Sequence, residues 1–496
     1  MTSLLGRAGR WLPAAVAVGF SGLLPVLFIP TSVDAYILPR TVLVLVVGLA
    51  GLQLWPRLGS LRWPLVLVAA AAVASCVFSV VPALSFTGSY SRYESLPVRI
   101  AYLGLFCWGA AAAPGASRWV VPSFILGCCV AAFEAGVEWI THSLPRPDGN
   151  LGQPNLLGVL LAMAIVLAVI RALRDPRWVP AVGLLGAGIL ACTSRSGWLA
   201  TLIGLVVAVL FSVPARHLRR VALVGAAVVG LALVVVLASP LRTLNSDPGG
   251  ARIGVWADAL RMGAARPLTG WGEDTMGLHF GHFQTKDWEL GHSFDRAHDQ
   301  PIDLFVTQGL LGLSASGLFF GIFWWGLWKR RSPALAGLAG ACAAYFAWSL
   351  LNFDWAPATG AFWLLAGLAW GSEERLAAAR QGVASLIGLV AGLLAGLAVG
   401  LPAQIADLAY FSGDAARAAA LDPLQARYHA AAGGLAELER AAALGDTDPA
   451  TYVRLGDALR AAGDARGARA AYRTALEIYP FDPTARSRYP SSSSSS

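Results

Sequence analysis

Charged residues are scarce in this sequence. Asp, Glu, Lys and Arg together make up 13% of its 496 residues, whereas a soluble globular protein usually carries about 25%. Hydrophobic residues make up 56% of the chain. So little charge excludes an ordinary soluble protein and indicates a protein that crosses the membrane several times.

Cysteine is also sparse, and none of it lies within a predicted outer loop. All six cysteines fall inside or at the edge of apolar stretches: Cys76, Cys107, Cys128, Cys129, Cys192 and Cys342. Disulfides are therefore not expected, because buried cysteine serves well as a small hydrophobic side chain.

Apolar stretches of about 20 residues recur along the chain, each long enough to cross the hydrocarbon core as a helix. The first is followed by many others and has no A-x-A cleavage site, so we interpret it as a retained helix. Thirteen spans are predicted, near 13–30, 36–55, 62–81, 97–114, 119–140, 155–173, 178–193, 196–213, 219–239, 301–328, 333–352, 357–371 and 383–403. The fold class is thus an all-α polytopic membrane bundle of about 12–13 helices, occupying residues 1–403.

The net charge of +8 is distributed in a way that argues against nucleic acid as a partner. Basic residues occupy alternate short loops, namely Arg7 and Arg10, Arg57 and Arg62, Arg118, Arg171, Arg174 and Arg177, Arg216, Arg219 and Arg220, 329–331, and Arg375 and Arg380. This is the positive-inside pattern. It places the N-terminus in the cytoplasm, and thirteen spans place the C-terminal tail on the periplasmic or extracellular side.

One outer loop, residues 240–300, is long and rich in arginine and histidine. Within it, Ile253, Trp256, Ala257 and Leu260 follow helical spacing, which predicts an amphipathic helix over 252–266 on the membrane surface or on the outer ends of the spans. His279, His282 and His292 could hold zinc by spacing. The absence of a nearby cysteine or a firm fourth ligand disfavours that reading, and no metal is predicted.

The tail after residue 404 has the character of a helical repeat. Residues 449–482 fit the 34-residue tetratricopeptide pattern, with Tyr452, Gly456 and Tyr472 at characteristic positions. A degenerate repeat precedes it, so residues 404–483 are predicted to stack as about two helix pairs. The final Ser-rich residues, 484–496, are predicted to be disordered.

Polar residues gather in the loops that the topology places at the outer membrane face: Arg92, Arg146, Asn155, Arg195, Arg252 and His298. Arginine suits phosphate oxygens, because its planar guanidinium donates two parallel hydrogen bonds and stays charged. The pattern leaves simpler roles open. Arg195 could cap its helix, Arg252 could solvate a helix face, Asn155 could begin the sixth span, and Arg92 and Arg146 could be ordinary loop residues.

The segment 294–312 brings an acid, a base and a titratable ring to the start of the tenth span. Asp295, Arg296, His298 and Asp299 lie within its first six residues. Asp299 could cap the helix, with Pro301 in its first turn. His298 could be a surface residue, or a general base tuned by neighbouring carboxylates and arginines.

Five polar segments follow one another over most of residues 85–315: "GSYSRYES", "GNLGQPNLLG", "TSRSGWLA", "RIGVWADALRMGAARPLTGWG" and "FDRAHDQPIDLFVTQGLLGL". In order and composition they resemble the O-antigen ligase and O-antigen polymerase superfamily of bacterial membrane glycosyltransferases, many of which end in tetratricopeptide repeats. Two positions depart from the family patterns: Glu94 to Leu96 replace a usual glycine, and Asp299 replaces a common asparagine.

The resemblance implies a C-type glycosyltransferase in the bacterial cytoplasmic (inner) membrane. It would take a glycan from undecaprenyl diphosphate, pass it to an acceptor hydroxyl on the outer face with inversion, and need no metal or other cofactor. By position, His298 matches the family's essential histidine, and Arg195 and Arg252 match its diphosphate-binding arginines. Arg92 and Asn155 match motif positions of less clear role. Asp295 or Asp299 would then hold the tautomer of the His298 ring.

Several alternatives remain open at this point. The acceptor could be lipid A core, a growing glycan chain or a protein hydroxyl, so ligase, polymerase and protein oligosaccharyltransferase are all candidates. A lipid-linked glycan transporter is disfavoured, because charged residues cluster at one face and few lie in mid-span. A scaffold that recruits a protein partner through its tail would leave the Arg and His loops without a role.

Overall fold

The computed structural model describes residues 2–112, 115–238, 250–291, 293–371 and 383–489. These residues form α-helices, 3₁₀ turns and loops, and they contain no β-strand, which confirms the all-α prediction. Every predicted span coincides with a helix: α1 (Thr2–Leu23), α2 (Ile37–Gly51), α3 (Arg62–Val77), α5 (Leu96–Ala112), α6 (Ser117–Thr141), α7 (Pro154–Ala172), α8 (Val179–Ala191), α9 (Arg195–Ser212), α10 (Leu218–Ala238), α13 (Gln300–Lys329), α14 (Ala336–Ser349), α15 (Ala356–Gly371) and α16 (Val383–Phe411). Between them lie α4 (Pro82–Thr87), α11 (Gly250–Ala265) and α12 (Met276–His279).

Over the described ranges, eight helical segments are long and apolar enough to cross a membrane. The apolar parts of α1, α5 and α8 are shorter, as are α14 and α15. Every residue of α15 is buried, so this helix runs inside the protein rather than against lipid. The chain is therefore a multi-pass bundle, and the count of spans beyond these eight stays a prediction.

The loops at one end of the bundle contact one another. Arg174 Nη2 donates a hydrogen bond to the Pro333 carbonyl oxygen at 2.6 Å, and Trp370 Nε1 donates to the Leu58 carbonyl at 3.3 Å. These four residues belong to the loops or helix ends that the charge pattern assigns to the cytoplasm.

The loops at the other end also contact one another, and we call this end the outer end. Trp355 Nε1 donates to the Ser91 carbonyl oxygen at 3.0 Å, and Gln404 Nε2 donates to Ser32 Oγ at 3.0 Å. The loops therefore sort into two ends, with the same alternation that the basic residues predict. Which end faces the cytoplasm stays a prediction.

Helix α13 is interrupted at Gly309, where φ is 64°. The segment that follows α11 satisfies the backbone groups at this interruption. Leu310 N donates to the Pro267 carbonyl oxygen at 2.7 Å, and Trp271 N donates to the Val306 carbonyl at 2.9 Å. Broken helices at membrane depth need such substitute partners. The segment PLTGWG, residues 267–272, therefore packs against the break in α13.

Helix α11 presents two apolar faces. Val255, Ala259 and Met262 are buried against the protein. The apolar stripe predicted from helical spacing does not form this buried face, because Ile253 is 70% exposed and Leu260 is 46% exposed. An apolar face on the protein and a second one outward fit a helix that lies along the membrane surface.

The C-terminal tail continues directly from α16, which extends eight residues beyond the predicted end of the last span. Its helices are α17 (Ala415–Leu421), α18 (Ala426–Ala432), α19 (Leu435–Ala443), α20 (Pro449–Ala461), α21 (Ala465–Ile478) and α22 (Pro483–Arg488). Each packs on the next, and the Tyr472 ring lies against Gly456. That these helices are tetratricopeptide repeats stays a prediction. Of the end predicted to be disordered, 484–488 belong to helix α22 instead, and 490–496 lie outside the described residues.

The tail is docked on the outer end of the membrane bundle. Leu84 and Leu278, from the outer loops, are buried in one cluster with Tyr452 and Ile478 of the tail. At the start of the tail, buried Asp407 accepts hydrogen bonds from Tyr90 Oη at 2.6 Å and from other groups. The tail and the long loop therefore lie at the same end of the protein.

Candidate functional site

The loop between α14 and α15, residues 350–355, gathers two of the predicted site residues. Arg252 Nη1 donates a hydrogen bond to the Leu351 carbonyl oxygen at 2.8 Å. The His298 ring meets the Phe353 ring edge to face, with ring centroids 5.1 Å apart. Arg252 and His298 thus border the same short loop, although 46 positions separate them in the sequence.

Arg195 begins α9, which packs along α14. A Cβ on Gly204 of α9 would lie 2.7 Å from the Gly340 carbonyl oxygen of α14. The two helices run in opposite directions. Arg195 lies nine residues before Gly204 in α9, and Ser349 lies nine residues after Gly340 in α14, so both lie toward the outer end and at a similar depth. Arg195 therefore stands at the level where α14 enters the 350–355 loop.

Arg92 is fixed on the other side of this loop. Its guanidinium contacts both carboxylate oxygens of Asp295, at 2.6 and 3.2 Å. It also lies over the Phe353 and Trp355 rings, 5.0 and 4.7 Å from their centroids. A paired and stacked guanidinium has a defined orientation, so Arg92 joins the loop between α4 and α5 to the His298 segment.

Asp295 is held as a carboxylate beside His298. Burial raises the pKa of Asp295, but the charge and hydrogen bonds of Arg92, together with His298, outweigh burial and lower the pKa overall. A fixed negative charge next to an imidazole favours the ring that carries a proton. The negative charge of Asp295 therefore acts on the His298 ring.

The two neighbouring predictions, Asp299 and Arg296, have structural contacts. Asp299 Oδ1 accepts the Ile302 N–H at 3.0 Å and caps α13. Burial raises the pKa of Asp299 more than this hydrogen bond lowers it, so the pKa is raised overall. Arg296 is 1% exposed and pairs with Asp274 and Asp303. Both residues fix the start of α13, and a catalytic role for Asp299 stays a prediction.

Arg146 and Asn155 form a second polar group beside Arg195. Arg146 donates to Thr193 Oγ1 at 3.3 Å and to Asn155 Oδ1 at 3.4 Å. Ser194 Oγ donates to the same Asn155 oxygen at 3.0 Å. The loop between α6 and α7 and the turn between α8 and α9 are therefore linked at Ser194, the residue that precedes Arg195.

The motif loops carry strained backbone. Among described residues other than glycine, those with positive φ include Ser91, Tyr93, Asn150, Thr193 and His298, with φ between 50° and 67°. These five lie in the polar segments picked out from the sequence, and the two other such residues in the described part of the chain, His142 and Asp274, lie outside those segments. Left-handed residues of this kind persist where the surrounding structure fixes them, and they concentrate at functional sites.

Sequence reasoning missed a buried charge cluster beneath this loop. Arg99, 9% exposed, lies 3.6 Å from Glu94, 3.3 Å from Glu273 and 2.5 Å from Asp354. Three acids from three distant segments surround one cation. No spacing rule pairs them; only the acidic character of "GWGED" and "NFDW" inside apolar surroundings could have signalled them.

This cluster also fixes the first half of α13. Gln300 Nε2 donates to Asp354 at 2.6 Å, and Gln308 Nε2 donates to Glu273 at 2.5 Å. In return, Gln300 Oε1 accepts the Asp354 N–H at 2.8 Å. Helix α13, which begins just after His298, is therefore held at Gln300 and again about two turns later at Gln308.

Glu94 makes the stability of this cluster depend on pH. Burial raises the pKa of Glu94 to about 7, with Arg99 opposing the shift. Between its ordinary pKa of 4.5 and about 7, the folded protein keeps a proton that the unfolded chain has lost. Stability from this group should therefore fall as pH rises through that window, by up to about 1.4 kcal/mol per pH unit.

Thermal unfolding in detergent between pH 5.5 and 7.5 tests this expectation. The midpoint of the wild-type chain, relative to that of Glu94→Gln, should fall as pH rises. The amide cannot titrate, so the variant serves as the matched control. Parallel curves for the two proteins would contradict a raised pKa at Glu94.

An apolar cavity of about 250 Å³ opens beneath the site, between α3, α5, α13, α14 and α15. Arg99, Gln300 and Asp354 form its polar end. A larger apolar groove of about 460 Å³ lies between α9, α13 and α14. Phe346 and Leu350 line both spaces, so apolar surface runs from the outside of the bundle to the base of the site.

No group of three or more His, Cys, Asp or Glu side chains in the described part of the chain could hold a metal ion. The His279 and His282 rings stack at 6.4 Å, and His282 faces Glu477 at 3.8 Å. His292, the third histidine of the possible zinc-binding pattern, lies outside the described residues.

Comparison with known families gives one match. Residues 180–317 match the O-antigen ligase family. The O-antigen ligase match covers a little over a quarter of the chain and includes Arg195, Arg252, Asp295, Arg296, His298 and Asp299. It supports a membrane glycosyltransferase of the O-antigen ligase or polymerase kind. No curated protein and no solved structure matches the chain.

Proposed function

We propose that this protein transfers a glycan from undecaprenyl diphosphate to an acceptor hydroxyl on the outer face of the bacterial cytoplasmic membrane. The observation that carries the proposal is that Arg252 and His298 contact the 350–355 loop, directly above an apolar cavity, while Arg195 stands at the level where that loop begins. A ligand with an anionic head and a hydrocarbon tail needs these two environments side by side.

The reaction forms one bond and breaks one. The acceptor oxygen attacks the anomeric carbon, the bond from that carbon to the diphosphate oxygen breaks, and the electron pair leaves with the diphosphate. Negative charge therefore grows on the leaving group. Arg195 and Arg252 would stabilise that charge where water is partly excluded, so the proposal requires no metal ion.

His298 would receive the proton of the acceptor hydroxyl as the new bond forms. General-base assistance of this kind needs the ring within hydrogen-bond reach of the hydroxyl. Phe353 sets the plane of the ring, and the carboxylate of Asp295 stabilises the imidazolium. Arg92 in turn holds Asp295 in place.

The apolar groove and cavity would receive the isoprenoid chain. The groove faces outward between α9 and α13 and is lined by aromatic side chains, including Trp324 and Trp328. A hydrocarbon chain entering there would bring the attached diphosphate to the level of Arg195. Helix α11, lying along the membrane surface, would cover the site from the side of Arg252.

Removing either diphosphate arginine should weaken the use of the lipid-linked donor. We expect Arg252→Ala or Arg195→Ala to lower kcat/KM for the donor by about 10- to 100-fold, because each removes a charge-assisted contact. The measurement is transfer in proteoliposomes, with a chelator present, from an undecaprenyl-diphosphate oligosaccharide.

Arg261→Ala is the matched control for this experiment. Arg261 lies on the same helix as Arg252 but is 52% exposed and pairs with Asp258, so its loss should change transfer less than threefold. Equal losses for Arg252→Ala and Arg261→Ala would contradict the assignment. Product mass with lipid A core, glycan and peptide acceptors would decide between ligase, polymerase and protein transferase.

A further inference from the structure

A polar cavity of about 270 Å³ lies at the seam between the membrane bundle and the tail. We call it the seam cavity. The loop between α4 and α5 lines one wall with Ser89 to Ser91, and the tail lines the other with Gln425 to Arg427 and Gly445 to Asp448. Its volume equals that of about nine liquid waters, and the function proposed above does not use it.

The seam cavity lies beside the proposed reaction centre. A Cβ on Gly277 would lie 3.3 Å from Asp295 Cβ and 3.5 Å from Thr447 Cβ. Those two carbons are therefore no more than about 7 Å apart. On the other wall, the Ser91 carbonyl accepts the Trp355 indole N–H. The cavity thus adjoins both the Asp295 carboxylate and the 350–355 loop.

The lining suits a neutral, hydroxyl-rich ligand. Each sugar hydroxyl both donates and accepts hydrogen bonds, so a sugar site needs groups of both kinds. Asp446 and Asp448 provide acceptor oxygens, and Arg427 and Gln425 provide donors. Arg427 pairs with Asp448 at 3.2 Å, Gln425 Nε2 donates to the Gly88 carbonyl oxygen at 3.3 Å, and Asp446 accepts from Thr451 Oγ1 at 2.7 Å. The remaining donors and lone pairs of these groups would serve the ligand. Two carboxylates against one guanidinium would repel a diphosphate, which distinguishes this cavity from the arginine-bordered site.

One wall is a rigid aromatic surface. The Tyr90 ring lines the cavity and meets the Tyr428 and Tyr410 rings edge to face, at 5.8 and 6.3 Å. Its hydroxyl donates to buried Asp407 at 2.6 Å, so the ring cannot turn freely. A fixed aromatic face beside paired polar groups is the usual form of a small-molecule site.

We infer that the seam cavity binds one sugar ring of a glycan substrate, so that the tail forms part of the substrate site. This inference rests on the proposed glycan transfer. The ring could belong to the donor glycan or to a glycan acceptor, since both would reach the reaction centre from the outer end.

Two substitutions in the tail test the inference without touching the proposed catalytic residues. Thr447→Trp should fill the cavity, and Arg427→Met should remove its guanidinium; Arg427 is about 40% exposed, so the chain should still fold. Arg440→Met and Ala461→Trp, at exposed positions of the same tail, are the matched controls.

Binding is measured by saturation-transfer NMR on the full chain in detergent. The probe is the oligosaccharide released by mild acid from the producing cell's own lipid-linked glycan. We expect saturation transfer to sugar protons with wild type, both controls and His298→Asn, and its loss in Thr447→Trp. Arg427→Met should weaken binding about tenfold.

Transfer kinetics then identify the source of the sugar ring. Thr447→Trp should raise KM about tenfold for whichever substrate occupies the cavity, donor or acceptor, with little change in kcat. Absence of saturation transfer in wild type, or equal signals in wild type and both test variants, would overturn the inference. A wild-type chain that binds sugar but transfers none would instead overturn the proposed function.

Discussion

Replacing His298 by asparagine is expected to lower the rate of glycan transfer by about 10²- to 10⁴-fold, the usual contribution of a general base. The ring packs against Phe353 of the 350–355 loop and lies near the Asp295 carboxylate. Without it, the acceptor hydroxyl loses the group to which its proton would pass. Donor binding should change little, because the arginines remain.

Asparagine is the informative replacement because of the backbone. His298 has φ of 55°, a conformation that asparagine tolerates better than alanine. His298→Ala would combine loss of the ring with backbone strain. With asparagine, the thermal unfolding midpoint should stay close to that of wild type while transfer is lost.

His282→Asn serves as the control for His298→Asn. His282 lies in the same long loop, is 50% exposed and faces Glu477. Transfer by this variant should stay near the wild-type rate. A His298→Asn protein that folds and transfers glycan at more than one tenth of the wild-type rate would contradict a general-base role.

Replacing Arg99 by methionine is expected to destabilise the protein by about 3–5 kcal/mol, the usual effect of removing one partner from a buried charge cluster. Glu94 and Glu273 are fully buried, and Asp354 has little exposure. Without Arg99, these three acids would face one another in an enclosed space. Thermal unfolding in detergent, followed by tryptophan fluorescence, measures the effect.

Neutralising the acids should restore part of the loss. We expect Arg99→Met combined with Glu273→Gln and Asp354→Asn to be more stable than Arg99→Met alone, because fewer unpaired charges remain buried. Additive losses in the triple variant would show that packing, rather than charge, explains the effect of Arg99.

Arg92→Met is the comparison variant, because it removes a more exposed ion pair than Arg99→Met does. Arg92 is 23% exposed and pairs with one acid that is 32% exposed. Screening by solvent limits such a pair to about 1 kcal/mol. The contrast between Arg92 and Arg99 therefore tests whether burial decides the size of each effect.

The apolar segments were predictable because a membrane-spanning helix must satisfy its own backbone hydrogen bonds over about 20 apolar residues. Every predicted segment is helical. The interruption of α13 at Gly309 was not predicted. It depends on the carbonyl oxygens of Pro267 and Leu268, which accept the Leu310 and Leu311 N–H groups at 2.7 and 3.1 Å. Hydropathy cannot place these carbonyls beside that helix.

The site was predictable only as a set of residue types. The family resemblance pointed to Arg195, Arg252 and His298, but not to the 350–355 loop that Arg252 and His298 contact. Asp299 shows what local sequence can and cannot predict. Its N-cap geometry follows from neighbouring residues, whereas a catalytic role would depend on the orientation of the His298 ring.

Local composition and periodicity by themselves determined the helices, the alternation of loops and the helical character of the tail, because these depend on neighbours along the chain. Only the tertiary structure decided that three acids meet at Arg99, that the tail closes a polar cavity beside Asp295, and which face of α11 is buried. Such contacts join segments up to hundreds of residues apart, so they depend on how the helices pack.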